Sequence, residues 1–455
     1  MTVTSHYRGR SASADLSYAQ LYSTLVGYSP ESAQLNTMPQ LDPVLLSDAR
    51  VLAAWLIFFG SYFVFALGKF PWMKIDRPGA AIIGAVLMVA FRIVGPPEAL
   101  QAIDFPTIVL LFSMMLIVAN LRLGGFFEHI AEWFVGRLHP HHLLPTVIFT
   151  CGLLSAFLVN DIVCLVMTPF VLQMARRLGL PPVPYLLAVA TASNIGSVAT
   201  ITGNPQNILI GSLSGIGYLD FIAHLGPIAA AGLVLNWAVI YHLYLRGARD
   251  RAPIADVLSA PEFRLAPMRK KPVFVLVLLL AGFLAGAPPS LTSAVCAALL
   301  LITRTTEPRK VYDDIDWGLL VFFVGLFIIV AGADRAGLTA ALLEPIADWN
   351  LHSIPLFVPV TAILSNFVSN VPAVMLLRTV VESFPDPHGG WLVLAMASTL
   401  AGNLTITGSI ANIIVVERAA AEGYSIGFGE YVRVGLPVTI VTLGFGTLWL
   451  LMTGA

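Results

Sequence analysis

Long apolar segments, separated by short polar ones, run from residue 51 to the end of the chain. A helix needs about 20 mostly apolar residues to cross the hydrocarbon layer of a membrane. The apolar segments therefore predict membrane-spanning helices. These segments are Val51–Leu67, Gly79–Val94, Phe105–Leu121, Leu186–Leu213, Phe221–Leu245, Val273–Ala287, Leu291–Thr303, Trp317–Ala331, Trp391–Val416 and Val434–Met452.

Two further apolar segments, Leu144–Ala175 and Ile354–Leu377, carry polar residues in their middles. We predict that they are re-entrant hairpins, which enter and leave the membrane on one side. With the N-terminus outside, this path puts the basic linker 246–272 in the cytoplasm. The loops 96–104 and 214–220, which contain no Lys or Arg, then lie outside. This distribution of positive charge favours the path.

The sequence also repeats itself. A shift of roughly 210 residues places Ile103–Asn120 on Ile315–Gly332 and TITGNPQN (200–207) on TITGSIAN (405–412). Five crossings in each half turn the second copy over relative to the first, as in many secondary transporters. We therefore predict an all-α polytopic membrane protein. It has two inverted-topology repeats of five transmembrane helices, each with a re-entrant hairpin and an interrupted transmembrane helix.

The predicted domains follow from these boundaries. They are a polar N-terminal extension (1–50), the first membrane repeat (51–245), the basic cytoplasmic linker (246–272) and the second, inverted repeat (273–455). The extension lacks the apolar stretch of a signal peptide. We expect a mobile or surface-lying segment, and a short helix over Ala14–Val26 is an alternative.

The polar motifs lie where a membrane helix should be apolar. In hydrocarbon each unsatisfied backbone group costs several kcal/mol, so a broken helix must be packed in protein or line a wet cavity. Half-helix ends that meet there make an anion site from N-terminal dipoles or a cation site from carbonyls. The alternative for any one residue is a helix-packing contact. The predicted substrate- or ion-binding residues are Asn160, Asp161, Asn194, Thr200, Thr202, Gly203, Asn204, Asn207, Ser369, Asn370, Thr405, Thr407, Gly408, Ser409 and Asn412.

Asp161 differs from the other acidic residues because it lies well inside an apolar segment. An ionisable side chain at membrane depth is costly and usually functional. We therefore predict that Asp161 carries a proton. The alternative is a structural Asp that caps the second helix of the hairpin. Cys164 is a candidate thiol contact for a thiophilic metalloid, although a buried Cys usually acts as a small hydrophobe.

Composition excludes several classes of protein. The chain is 57% hydrophobic and 11% charged, whereas soluble domains carry about 25% charged residues. A net charge of −1 gives no basic surface for nucleic acid. The cysteines show no metal-binding spacing, and no nucleotide-binding or catalytic motif is present. We therefore predict a protein that is not an enzyme, has no cofactor or metal, and uses an ion gradient, of H+ or alternatively Na+.

The hairpin and motif sequences resemble the ion transporter superfamily, and within it the ArsB/NhaD-type permeases. The first half contributes SAFLVNDIVCLVMTP and SNIGSVATITGNPQN, and the second contributes SNFVSNVPAVMLL and GNLTITGSIANIIVVERA. The resemblance covers residues 51–455. It implies two inverted repeats around a central site, and a transport domain that moves against a scaffold in alternating access.

The resemblance also implies a function: proton-coupled efflux of arsenite or antimonite, or of a related small oxyanion, across the inner membrane. The alternatives are a Na+/H+ antiporter and a sodium-coupled carboxylate transporter. Carboxylate carriers of the superfamily have Ser-Asn-Thr at both hairpin tips, whereas here the tips read Val159-Asn160-Asp161 and Ser369-Asn370-Val371. The implied partners are a second copy in a homodimer and, for an arsenite pump, a cytoplasmic ATPase. A channel or a non-transporting receptor is a further alternative.

Overall fold

The structure is a computed structural model that describes residues 43–68, 74–135, 142–246, 268–302, 306–343 and 351–454. This part of the chain forms helices and no strand. Most of the 1–50 extension, with its predicted helix over Ala14–Val26, lies outside the described residues. So does most of the 246–272 linker. The predicted domain boundaries therefore stay predictions.

The described helices form two series in the same order. The first series is α1 Pro43–Leu67, α2 Arg77–Ala90, α3 Pro96–Ala102, α4 Phe105–Leu123, α5 Phe126–Val135, α6 Leu143–Phe157, α7 Asn160–Arg177, α8 Val183–Ser197, α9 Pro205–Ser214 and α10 Tyr218–Ile240. The second is α11 Lys270–Leu284, α12 Pro289–Leu301, α13 Pro308–Tyr312, α14 Trp317–Arg335, α15 Leu338–Leu343, α16 Ile354–Val368, α17 Asn370–Glu382, α18 Pro387–Ala401, α19 Ile410–Ala421 and α20 Phe428–Thr453. Each helix of the first series has its counterpart in the second, as the sequence repeat predicts.

Five helices in the described ranges are long and apolar enough to cross a membrane. They are Ala49–Leu67, Phe105–Leu123, Tyr218–Leu245, Trp317–Arg335 and Phe428–Thr453. The predicted spans Leu186–Leu213 and Trp391–Val416 are each two helices with an irregular segment between them, which confirms the predicted interruptions. The orientation of the two series relative to a membrane stays a prediction.

The same residue type begins equivalent helices in the two halves. Asp104 accepts a hydrogen bond from the backbone N–H of Thr107 at 2.8 Å, and Asp316 accepts one from Leu319 at 2.9 Å. A carboxylate at the N-cap accepts a hydrogen bond from one of the free N–H groups of the first turn. Its negative charge also interacts favourably with the positive end of the helix dipole. The repeated Ile-Asp pair therefore fixes the starting points of α4 and α14.

The helix contacts define two groups. The first, which we call the frame, comprises α1, α2, α4, α11, α12 and α14. In the frame α2 packs on α14 and α4 packs on α12, while Phe65 of α1 contacts Phe322 of α14 with ring centroids 5.0 Å apart. Each of these two close helix pairs joins one half of the chain to the other.

The second group, which we call the inner bundle, comprises α6–α10 and α16–α20. Within it α6 and α7 fold back on each other and pack on α8, as α16 and α17 do on α18. The two halves of the bundle meet where α10 packs on α20 and α7 packs on α19. Both predicted hairpins and both broken helices therefore belong to one body.

Candidate functional site

The first broken helix is held open by asparagine side chains. Asn204 caps α9 by accepting a hydrogen bond from the N–H of Asn207 at 2.8 Å. The Asn207 Nδ2 group donates to the carbonyl oxygens of Ser197 at 3.0 Å and Thr200 at 3.1 Å. These carbonyls belong to the end of α8 and the irregular segment, where the helical partner is lost. Asn207 thus satisfies backbone groups that the break leaves free.

The second broken helix uses the same device. The Asn412 Nδ2 group donates to the carbonyl oxygens of Gly402 at 2.6 Å and Thr405 at 2.9 Å. Asn412 and its two acceptors occupy the same motif positions as Asn207 and its acceptors. The repeat therefore extends from sequence to individual hydrogen bonds.

Two reciprocal hydrogen bonds connect the breaks. Asn194 Nδ2 donates to Asn412 Oδ1 at 2.9 Å, and Thr399 Oγ1 donates to Asn207 Oδ1 at 3.3 Å. Asn194 and Thr399 hold equivalent positions before the two TITG motifs. Each half therefore completes the hydrogen bonding of the other half's break.

Asn194 also connects this network to the first hairpin tip. Its Oδ1 atom accepts hydrogen bonds from Asn160 Nδ2 and Ser409 Oγ, both at 3.0 Å, and its Nδ2 group also donates to Asn403. The side chain of Asn160 is held in one orientation by this bond. Its Oδ1 atom is buried, in a residue that is 3% exposed, and has no hydrogen-bond partner among the described residues. A buried acceptor without a partner is costly unless a ligand or water supplies a donor.

A cavity of about 180 Å³ lies where the tips meet the frame. The residues that line it are Arg77, Pro78, Asn160, Asp161, Pro205, Gln206, Asp316, Leu319, Phe322, Ser369, Asn370, Val371, Ser409 and Ile410. Four inner-bundle helices begin at this cavity, namely α7, α9, α17 and α19. Each helix N-terminus favours a negative or electron-rich group by about 0.3–2 kcal/mol. Together they make an environment for oxygen atoms of a ligand and for the carboxylate of Asp161.

Asp161 faces the backbone amide of Ala411 in the first turn of α19. It forms no ion pair among the described residues. The other charged groups at the cavity are Arg77 and Asp316, both from the frame. The first hairpin therefore presents an unpaired carboxyl group to the cavity.

The second hairpin tip has unusual backbone geometry. Ser369 links α16 and α17 with φ +77° and ψ 157°, a conformation that L-residues rarely adopt. Such a residue costs about 1–3 kcal/mol and persists only where the surroundings impose it, often at functional sites. Ser365 Oγ supports the turn by donating to Asn370 Oδ1 at 2.7 Å. This conformation could not be predicted from the sequence, because Ser369 is not a glycine.

The structure separates the predicted site residues into three sets. Those that line the cavity are Asn160, Asp161, Ser369, Asn370 and Ser409. Those that hold the breaks behind it are Asn194, Thr200, Thr202, Gly203, Asn204, Asn207, Thr405, Gly408 and Asn412. Thr407 is exposed and lies apart from the cavity lining.

Cys164, the candidate thiol contact, is fully buried and does not line the cavity. Its Sγ atom lies 3.9 Å from the carbonyl oxygen of Val189 on α8. Gln206, Arg77 and Asp316 line the cavity but were not predicted. Gln206 could have been found as the remaining polar residue of TITGNPQN. Arg77 and Asp316 look like ordinary boundary charges in the sequence. No cluster of His, Cys, Asp and Glu that could hold a metal occurs in the described ranges.

Comparisons with known proteins agree with a transporter. Residues 62–401 match the family model described as citrate transporter, CitMHS. The silicon efflux transporter LSI3 of Oryza sativa subsp. japonica is 29% identical over 461 residues, covering 85% of this chain and 95% of that protein. The 46 kDa membrane protein of Mycobacterium leprae (strain TN) is 32% identical over 403 residues, covering 83% and 94%.

Two more distant matches add to this. The putative transporter arsB of Dictyostelium discoideum is 26% identical over 490 residues, covering 82% of this chain and 87% of its own. Among solved structures, the Alcanivorax borkumensis YdaH transporter has a TM-score of 0.52 at 16% identity, covering 90% of this chain and 98% of its own. That likeness concerns the fold alone.

Proposed function

The chain belongs to the citrate transporter family, and from this premise we propose that it exports a small hydroxylated metalloid species in exchange for protons. Arsenite or antimonite is the leading substrate, and alternating access is the mechanism. The observation that carries the proposal is the convergence of four helix N-termini on a cavity that contains the carboxyl group of Asp161. The relatives named as a silicon efflux transporter and as arsB support a substrate of this chemistry.

The size and charge of the cavity favour a small uncharged hydroxylated acid. Its volume is about 180 Å³, and its described charged groups are one guanidinium, Arg77, and two carboxylates, Asp161 and Asp316. Arsenous acid is uncharged near neutral pH and carries hydroxyl groups. Those hydroxyls can donate to Asp161 and to the unpartnered Asn160 Oδ1, while their oxygen atoms accept from the helix N-termini. A tricarboxylate would meet two like charges instead.

Proton coupling follows from competition at Asp161. An ionised carboxylate accepts a hydrogen bond from the substrate hydroxyl. A proton bound to the same carboxylate neutralises its charge and turns one of its oxygen atoms into a donor, so the acceptor that remains is weaker. Substrate and proton therefore weaken each other's binding, and this coupling is reciprocal. Such mutual weakening is what exchange of the two across the membrane requires.

Replacement of Asp161 tests the proposal. Asp161→Asn keeps an acceptor oxygen but cannot bind a proton. We expect the variant to exchange arsenite across everted vesicles without a gradient. A pH gradient should no longer drive accumulation of arsenite by this variant. Unchanged gradient-driven accumulation would refute the role of Asp161. Acridine orange dequenching on addition of sodium would instead indicate a Na+/H+ antiporter.

A carboxylate is the second candidate substrate, favoured by the family description and by Arg77 in the cavity wall. Thermal stabilisation of the purified protein distinguishes the candidates. A ligand at one hundred times its dissociation constant adds about 2.7 kcal/mol of stability. We expect arsenite or antimonite to raise the melting temperature and citrate to leave it unchanged. The reverse ranking would favour carboxylate transport.

A further inference from the structure

Polar side chains connect the frame to the second hairpin. Arg378 of α17 donates through Nη2 to Asp334 Oδ2 of α14 at 2.8 Å, and both side chains are largely buried, at 27% and 28% exposed. Close to this pair, the hydroxyl of Tyr62 on α1 donates to the carbonyl oxygen of Pro372 at 3.3 Å. The hairpin helix α17 is therefore held against two frame helices, α1 and α14.

This contact lies at the opposite end of α14 from the cavity. Asp316, Leu319 and Phe322, at the start of α14, line the cavity, whereas Asp334 is in its last turn. With a rise of about 1.5 Å per residue, roughly 18 Å of helix separates Phe322 from Asp334. The helix α17 begins at the cavity and reaches Arg378 about two turns later. The ion pair thus closes the space between frame and bundle beyond the cavity.

Among the described residues, the repeat-related positions of the first half form no equivalent contact. The repeat places Arg122 opposite Asp334 and Thr168 opposite Arg378. Arg122 pairs with Asp314, with Nε and Oδ2 2.9 Å apart, and Thr168 donates to the carbonyl of Cys164 in its own helix at 2.6 Å. An ion pair between frame and bundle is therefore found at one end of the described structure and not at the repeat-related position.

From this asymmetry, and on the basis of the proposed function, we infer that Asp334 and Arg378 form a latch between frame and inner bundle. The latch holds the pathway closed on its own side, while the cavity is reached from the side of Asp316. Movement of the bundle to the other state requires the pair to separate. The Arg378 Nε–H group is buried and has no hydrogen-bond partner among the described residues, so the pair is held by fewer bonds than a bidentate one.

Labelling of the hairpin tip tests the latch without any substrate. Ser369→Cys places a thiol on the half-buried residue at the cavity, and the native cysteines are buried and can stay. A membrane-impermeant maleimide should label this parent protein from one face only, in either right-side-out or everted vesicles. Added Asp334→Asn or Arg378→Gln should raise labelling from the other face by about fivefold or more. The charge exchange Asp334→Arg with Arg378→Asp should restore labelling from one face.

Glu98→Gln is the matched control, because Glu98 pairs with Arg335, the neighbour of Asp334, in a contact between α3 and the frame helix α14. It should label like the parent. The inference is overturned if both latch variants label like the parent, if the charge exchange does not restore the pattern, or if Glu98→Gln opens the other face equally. Melting temperatures and the amount inserted in the membrane identify a variant that fails to fold, and the remaining two variants then decide. Loss of arsenite transport with an intact labelling pattern would count against the proposed function alone.

Discussion

Asn194 shows how much one side chain can organise in this protein. It accepts from Asn160 and Ser409 and donates to Asn403 and Asn412. These partners come from the first hairpin and from the second broken helix, so a single amide positions both against each other. Removal of it would leave several buried polar groups without partners, at about 1–3 kcal/mol each. Asn194 is therefore a positioning residue, and it does not line the cavity.

Substitution of Ser409 and of Thr407 should affect transport differently, although the sequence predicts both as site residues. Ser409 lines the cavity and donates to Asn194 at 3.0 Å, whereas Thr407 is exposed. We expect Ser409→Ala to raise the KM for arsenite uptake by about 2–10-fold, the equivalent of one hydrogen bond. Thr407→Val should change it by less than about twofold. An equal rise in KM in both variants would show that the exposed Thr407 also contacts the substrate.

At the scale of elements, the glycines of the two TITG motifs are required by close packing. A Cβ atom on Gly203 would lie 2.2 Å from the carbonyl oxygen of Ser197, and one on Gly408 would lie 2.8 Å from Asn366 Oδ1. The broken helices therefore fold back so tightly that only glycine fits. The glycines allow the asparagines to reach across each break.

Gly203→Ala should consequently destabilise the protein. Overpacking of this kind costs about 1–3 kcal/mol, and we expect a melting temperature lower by several degrees together with reduced transport. The matched control is Gly217→Ala, where a Cβ would meet no atom within 4 Å. A comparable fall in melting temperature in both variants would mean that lost backbone flexibility, and not the contact with Ser197, causes the destabilisation.

The sequence predicted the elements better than it predicted the site. The breaks in α8–α9 and α18–α19 were visible because Gly203, Pro205 and Gly408 stand among polar residues in apolar surroundings. Which of those polar residues face the cavity was not visible, because Thr200 and Ser409 are chemically alike, and only the fold shows that Thr200 bonds to the carbonyl of Ala156. Arg77 and Asp316 could not be found either, since the packing of α2 on α14 brings them to the site from distant parts of the chain.

At the scale of the whole molecule, two ion pairs tie frame helices to the short helices α3 and α13. Arg122 pairs with Asp314, and Arg335 pairs with Glu98, so the end of α4 is fixed near α13 and the end of α14 is fixed near α3. The predicted membrane path places the members of each pair on one side. Arg335 holds the pKa of Glu98 below its usual value by donating a hydrogen bond to it, and the backbone N–H of Gly95 assists at 2.7 Å.

This lowered pKa predicts how the contact depends on pH. The Glu98–Arg335 pair should contribute stability above the ordinary pKa of glutamate, about 4.3. The contribution should be lost as the pH falls through the lower folded-state pKa. The contribution is small because the pair is exposed. We expect Glu98→Gln to melt slightly below wild type at pH 7 and at the same temperature as wild type in strong acid. A difference in melting temperature that persists or grows in acid would show that the Glu98–Arg335 pair is not its cause.

The exchange of helices within the frame has a consequence for biosynthesis. Because α2 packs on α14 and α4 packs on α12, each of these early helices finds its permanent neighbour in a segment that the ribosome makes much later. During synthesis, α2 and α4 must therefore lie in the bilayer before α14 and α12 are available to pack on them. Two separately expressed halves should be unstable alone and should assemble when they are produced in the same cell.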